Sequence, residues 1–370
     1  MRLSLFYLLL VNTLCGCDHT PSAAQCPPHP SDIPGCVAPP REHPGEVEVD
    51  PLSQAECVPA TADISPTRHV YAGDNMEVDE VSFGSCHLPE YMEEVPNFWE
   101  DMRTVSHPDL WLWLGDNMYR DGSDINEKRL QYNKVKEEAR YQEHGPINPE
   151  SPIPIMAGWD DHDYGYNDAG NDYVCKEQSQ AEWAHFTDIP PSEPQHPDSP
   201  DYRPGVYNSR MFRKPGTEEN GIHVIILDNR SQRDPTFSRF GECRGSETRM
   251  LGQEQWTWLE AELERESEVK IIGSGVQVLP PTDIDLHLPE VYCAHDIHNV
   301  EDKTSTTFMD SLARVGEGKH WFRTPFEWEN WGQIPLERER LLGMSQRAIN
   351  SGKSKVYTQM FRNSRKIYRR

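Results

Sequence analysis

Beyond residue 14 the 370-residue chain has no long apolar run, and it is short of cations: 36 Lys and Arg face 61 Asp and Glu, a formal net charge of -25. The first shortage leaves no later segment of about 20 apolar residues to cross a bilayer. The second removes the positive field that broad binding to nucleic acid or anionic lipid requires. An anionic substrate would need cations concentrated locally, metal ions among them. The chain also lacks an internal repeat. Cys293-Ala-His295-Asp296-Ile-His298 lacks the second spaced pair of a structural zinc finger and reads as solvated loop. What is present, 36% hydrophobic residues over this length, fills the core of one large domain or two ordinary ones.

The opening MRLSLFYLLLVNTLCGC has one early Arg, an apolar run over residues 3–14 and small or cysteine residues behind it, the three-part pattern of an export signal over residues 1–17. Leu14-Cys15-Gly16-Cys17 is similar to a bacterial lipobox, which makes Cys17 a candidate for a lipid anchor. The expected location is therefore exported: secreted, periplasmic or held at the cell surface. Export permits disulfides. Of nine cysteines, Cys15, Cys17, Cys26, Cys36, Cys57, Cys86, Cys175, Cys243 and Cys293, six remain if the signal takes Cys15, lipid takes Cys17 and a metal takes Cys86. Six suit three bridges of undetermined pairing.

Residues 18–78 are rich in Pro, Ser, Asp and Glu without periodicity and read as an exposed linker. Residues 79–352 form the folded domain. Strands are predicted over 78–83, 110–114, 153–157, 223–227 and 269–272, with helices over 90–106, 126–141 and 253–266. In the last helix Trp256, Leu259 and Leu263 share one face, a core stripe rather than a carbohydrate platform. The alternation favours a layered α/β domain.

Chemistry-bearing residues collect where the predicted strands end, in FGSC, LGDNMY, GWDDHDYGYND and LDNR. In α/β sheets ligand sites gather beyond the carboxyl ends of strands. Taken singly, Cys86 reads as a buried thiol, half a disulfide or a metal ligand; Asp116 as a turn residue or a functional carboxylate; Tyr119 as a half-buried aromatic. Asp160-Asp161-His162-Asp163 is more specific, because three carboxylates around one imidazole repel unless a cation compensates, which favours a metal site. Arg230 suits phosphate binding or a salt bridge to Asp228. Asn229-Arg230-Ser231 is a glycosylation sequon, expected to be unused because a glycan there would obstruct the pocket.

Together FGSC, GDNMY, WDDHDYGYND, LDNR, LGQEQWTWLEAEL and WGQIPLERERLL resemble the PhoD-like alkaline phosphatases and phosphodiesterases, a branch of the calcineurin-like metallophosphoesterases, from residue 81 to 342. The resemblance implies a four-layer α/β/β/α sandwich and metal-dependent hydrolysis of phosphate mono- or diesters. It implies that Cys86, Asp116 and Tyr119 hold a ferric ion (Fe3+), that Asp116 bridges to a second metal, and that Asp160 and Asp161 serve that second site, calcium in type, other divalent metals being possible. His162 matches the histidine at the substrate phosphate or leaving oxygen, and Arg230 a phosphate clamp. The class alternative is a non-catalytic secreted or surface binding protein on the same scaffold.

The family continues into a strand ending in Gly-Asp-x-His, whereas this chain reads GKSKVYTQMFRNSRKIYRR, with seven Lys or Arg and no acid over residues 353–370. That stretch reads as an atypical basic tail. The expectation is a domain lacking its last strands and the ligands they carry, with activity impaired accordingly.

Overall fold

The computed structural model describes residues 2–4, 56–92, 95–234, 249–278, 331, 334–352 and 354–360. Strand β1 is Arg2–Ser4, followed by β2 (Glu80–Gly84), α1 (Pro89–Met92), α2 (Phe98–Asp101) running into a π-helical turn (Met102–Ser106), and β3 (Leu110–Leu114). Then come α3 (Ile125–Glu137), α4 (Ala139–His144), β4 (Ile155–Gly158), α5 (Asp161–Tyr164) and α6 (Lys176–Thr187). Strands β5 (Asn208–Arg213) and β6 (Asn220–Ile226), helix α7 (Gln253–Glu264), β7 (Val269–Ser274), α8 (Pro335–Asn350) and β8 (Lys355–Met360) complete the order. No described helix is long and apolar enough to cross a membrane.

Two four-stranded sheets result, β1-β2-β3-β4, all parallel, and β5-β6-β7-β8, in which only β5 runs antiparallel. The pleat decides which side chains meet. In β3, LWLWL, all five residues are buried, because a parallel strand is covered on both faces. Leu110, Leu112 and Leu114 face one core cluster with Phe83, Met156, Val224, Ile226 and Ile271, which joins the two sheets. Trp111 and Trp113 point the other way, into a cluster with Trp99, Tyr132, Val135, Trp183 and Phe186 from the helices. On the second sheet Ile225 and Ile272 face Trp256, Leu259 and Leu263 of α7 and Leu341, Met344 and Ala348 of α8. The predicted core stripe of α7 is therefore buried as expected.

Several elements depart from the sequence expectation for identifiable reasons. The single helix expected over 90–106 is split around Pro96, which offers no N–H and disfavours helical backbone at Val95. The helix expected over 126–141 breaks at Glu138, whose backbone is extended (φ -60°, ψ 123°) and whose Oε2 lies 2.9 Å from His87 Nε2. Helix α6 was missed because its buried face is largely polar: Gln180 Nε2 donates to the carbonyls of Gln195, Arg203 and Gly205.

The expected linker is docked rather than exposed from residue 56 onward. A Cys57–Cys175 disulfide ties it to the start of α6, Val58, Tyr71 and Glu77 each form a β-bridge to the domain, and Ser65, His69, Ala72 and Val78 are buried. At the other end, residues read as the start of a basic tail form β8, paired in parallel with β7 from Lys355 opposite Val269 to Met360 opposite Ser274. A strand follows α8 after all, without the Gly-Asp-x-His sequence. The other expected bridge cysteines, Cys26, Cys36, Cys243 and Cys293, and the Cys293–His298 cluster lie outside the described residues, as does Cys17.

Candidate metal centre

The site forms where β2, β3, β4 and β6 end. Backbone geometry makes the convergence possible. Gly115 sits at φ 105°, and a Cβ there would lie 2.6 Å from Asp160 Cβ and 2.8 Å from its backbone nitrogen, so only glycine lets the β3 and β4 ends approach this closely. Cys86 (φ 60°) and Asp116 (φ 49°) both occupy the left-handed region, uncommon for residues other than glycine. Their loops are stitched by Cys86 N–H to Gly115 O at 3.2 Å and His87 N–H to Asp116 O at 2.8 Å.

The result gathers one sulfur, one phenol and two carboxyls with an imidazole. Cys86 Sγ lies 3.7 Å from Asp116 Oδ2, and Tyr119 Oη donates to the same oxygen at 3.0 Å. Asp116 also joins Asp161 and His162 in a buried triad in which one ligand atom from each lies within 4.8 Å of the others. Asp116 Oδ1, Asp161 Oδ1 and His162 Nε2 are all buried without a hydrogen-bond partner. Buried polar atoms left unsatisfied are costly in a folded core, and the two carboxyls with the imidazole, once it gives up its proton, could hold a cation.

Burial, then the charge of Asp161, drives the Asp116 carboxyl well above its usual range. Burial likewise raises Cys86, with Asp116 adding to it, and raises Tyr119. Burial also opposes charge on Asp161, but Arg230 and His162 outweigh it and hold that carboxyl at about 2. For His162 burial disfavours the imidazolium, yet a 2.5 Å hydrogen bond to Asp121 through Nδ1 and the charges of Asp161 and Asp116 raise it to about 10. Asp121 thus fixes the ring with Nε2 toward the cluster, while Tyr119 lies against it, ring centroids 4.4 Å apart.

Asp163 does not face the cluster. It receives the backbone N–H groups of Asn117 and Asp160 and the Tyr132 hydroxyl, holding the two site loops together. Burial raises it to about 6. Lys128, fully buried beneath the same loops, is lowered by burial to about 8 and so remains charged at neutral pH.

The structure places the expected residues unevenly. Cys86, Asp116, Tyr119, Asp161 and His162 converge. Asp160 does not join the triad: its Oδ1 receives Arg230 Nε at 2.6 Å and Nη2 at 2.5 Å. The alternative reading of Arg230, an ion pair with Asp228, does not form, because the Asp228 carboxylate receives Trp159 Nε1, the backbone N–H groups of residues 206, 230 and 231, and the Ser231 hydroxyl. Asn229 is fully buried, with Oδ1 accepting from Ser274, so the sequon presents no accessible amide. Asp121 and Lys128 were not anticipated. Asp121 lies in the same GDNMYRDG motif as Asp116, whereas Lys128 carries no local signal.

Fold and site together define an α/β protein with a buried, acid-rich cluster at its strand ends that could hold a cation. The sequence model of the PhoD-like phosphatase family matches residues 82–351, most of the chain, and the chain belongs to that family. A solved structure of PhoD is similar at 15% identity and a TM-score of 0.49, covering 78% of this chain and 52% of that one. The chain therefore spans about half the length of that structure. No curated protein matches it.

Proposed function

We propose that the protein is a metal-dependent phosphoesterase, hydrolysing phosphate mono- or diesters on a four-layer α/β/β/α sandwich. Family membership supports the reaction class, and the helix-covered outer faces of two sheets joined through one core support the architecture. The observation that carries the reading is the trio of buried, unsatisfied atoms on Asp116, Asp161 and His162.

Cys86, Asp116 and Tyr119 would hold a ferric ion, since thiolate and phenolate suit a highly charged metal that displaces their protons. Asp116, beside Cys86 and Tyr119 and also in the cluster with Asp161, would be shared with a calcium-type second site that Asp161 would serve. Such ions, when bound, polarise the phosphoryl group and activate water.

This chain's own side chains do the rest. Asp160 is assigned to fixing Arg230 rather than to a metal, because its Oδ1 is already occupied by the guanidinium. Arg230, so oriented, offsets charge on the phosphoryl oxygens. His162, steadied by Asp121 at Nδ1, presents Nε2 to the cluster and donates a proton to the departing alcohol. Export to an oxidising compartment, by secretion or a lipid anchor at Cys17, is part of the proposal, supported by the Cys57–Cys175 bridge; cell fractionation tests it.

The functional test is metal analysis of the purified protein combined with hydrolysis of p-nitrophenyl phosphate and its bis ester. Metal content with hydrolysis lost in Asp116→Asn is the expected result. Folded, metal-free, inactive protein that cannot be reconstituted would overturn the proposal in favour of a non-catalytic binding protein.

A further inference from the structure

Helix α3 runs behind the candidate centre rather than lining it, yet one of its side chains reaches the site's backbone. Lys128 is fully buried, and its three Nζ–H groups are shared among four main-chain carbonyls within hydrogen-bond distance, those of Arg120 (2.8 Å), His162 (3.3 Å), Asp163 (3.3 Å) and Gly165 (3.2 Å). One carbonyl belongs to the loop after β3, which carries Asp116, Tyr119 and Asp121. The other three belong to the turn after β4, which carries Asp161 and His162. A cage of carbonyl oxygens is how proteins replace the hydration shell of a small monovalent cation. Here the cation is an ammonium covalently tethered to the helix.

The same helix face makes a second contact one turn on. Tyr132 Oη donates at 3.1 Å to Asp163 Oδ1, and that carboxylate also receives Asn117 N–H and Asp160 N–H. Both site loops are thus gripped from one side by residues spaced i and i+4. A buried lysine serving only general stability looks different in this molecule. Lys136, two turns further along α3, is also buried, but it pairs with the Asp188 carboxylate at 2.6 Å and with the His185 carbonyl, away from the centre.

We infer that Lys128 is a positioning residue of the metal centre: a tethered monovalent cation that draws the carbonyls of residues 120, 162, 163 and 165 together and so sets Asp161 and His162 against Asp116. The inference rests on the proposed metal-dependent reading of that cluster. It assigns Lys128 no contact with substrate.

Calorimetric titration with Mn2+ alone tests it on the full-length protein, comparing wild type, Lys128→Met, Lys136→Met and Lys128→Ala, the last with and without n-propylammonium. Lys128→Met is expected to weaken Mn2+ binding about 10–100-fold, as removal of outer-shell partners does, while Lys136→Met loses urea resistance but keeps wild-type affinity. In Lys128→Ala, n-propylammonium supplies the carbons and the ammonium that the substitution removes, and is expected to restore most of the affinity; 1-propanol, without the charge, is not. Wild-type affinity in Lys128→Met, or no response of Lys128→Ala to the amine, overturns the inference. If Lys128→Met does not fold, the amine response of Lys128→Ala decides, and failure of that variant to fold or bind with the amine present also overturns it. If wild type itself binds no Mn2+, the metal reading fails and this inference with it, a result distinct from the others.

Discussion

Replacing Asp161 by Asn separates a ligand carboxylate from a structural one. Asp161 Oδ2 accepts the Asp168 N–H at 2.9 Å, a contact an Asn oxygen retains, while Oδ1 has no hydrogen-bond partner. Loss of the charge weakens the attractions to Arg230, at 3.8 Å, and to His162, and relieves repulsion with Asp116. The attractions win, since they hold the carboxyl at about 2 against an ordinary 3.8, so metal-free stability should fall by about 2 kcal/mol, less than the 3–5 kcal/mol of breaking a buried ion pair outright. With a divalent ion at a hundred times its dissociation constant, binding adds about 2.7 kcal/mol. For a domain of this size that raises the melting temperature by about 5 °C. If Asp161→Asn weakens binding about 10–100-fold, the same ion concentration adds only about 0.4–1.4 kcal/mol, a rise of about 1–3 °C. Thermal melts in chelator and in Mn2+, wild type beside variant, measure both quantities. A variant that loses several kcal/mol in chelator yet keeps the full metal-induced rise would refute the argument, since Asp161 would then be holding the fold and not an ion.

Three further outcomes are expected. Asp121→Asn should lower kcat about 10–100-fold and weaken Mn2+ binding as well, because Asp121 orients the His162 ring of the cluster through Nδ1; steady-state kinetics beside calorimetry checks this. Cys57→Ser with Cys175→Ser opens a loop of sequence separation 118 and should cost about 3–5 kcal/mol in urea denaturation, with residues 57–78 becoming susceptible to protease. Burial opposes the charge of Glu262, but contacts with His223, Ser209 and Arg265 hold it at about 2 against an ordinary 4.5. A carboxyl depressed on folding contributes stability above its unfolded value and loses it as pH falls through the folded one, so wild type should lose stability between about pH 4.5 and 2 and Glu262→Gln should flatten that limb; acid titration of the metal-free protein by circular dichroism reads the difference.

The sequence by itself determined the elements whose signal is local. Strand β3 was legible to the residue because LWLWL is short, apolar and bounded by turn residues, and α7 because its tryptophan and leucines repeat at helical spacing. Repetition of polar ligand types after each apolar run also located the site, since a parallel sheet delivers all such ends to one edge. Only the tertiary structure decided what those residues do to one another. Asp160 and Asp161 are adjacent and chemically identical, yet one is turned to Arg230 and the other to Asp116. Glu138, where a helix ends, lies 2.9 Å from His87, 51 positions back in the sequence, a pairing no local propensity encodes. Lys128 is an unremarkable helix residue until four carbonyls from two distant loops close around it. Patterns in sequence report how each segment meets water or core; the orientation of a buried charge depends on partners far along the chain, which only the folded geometry brings within reach.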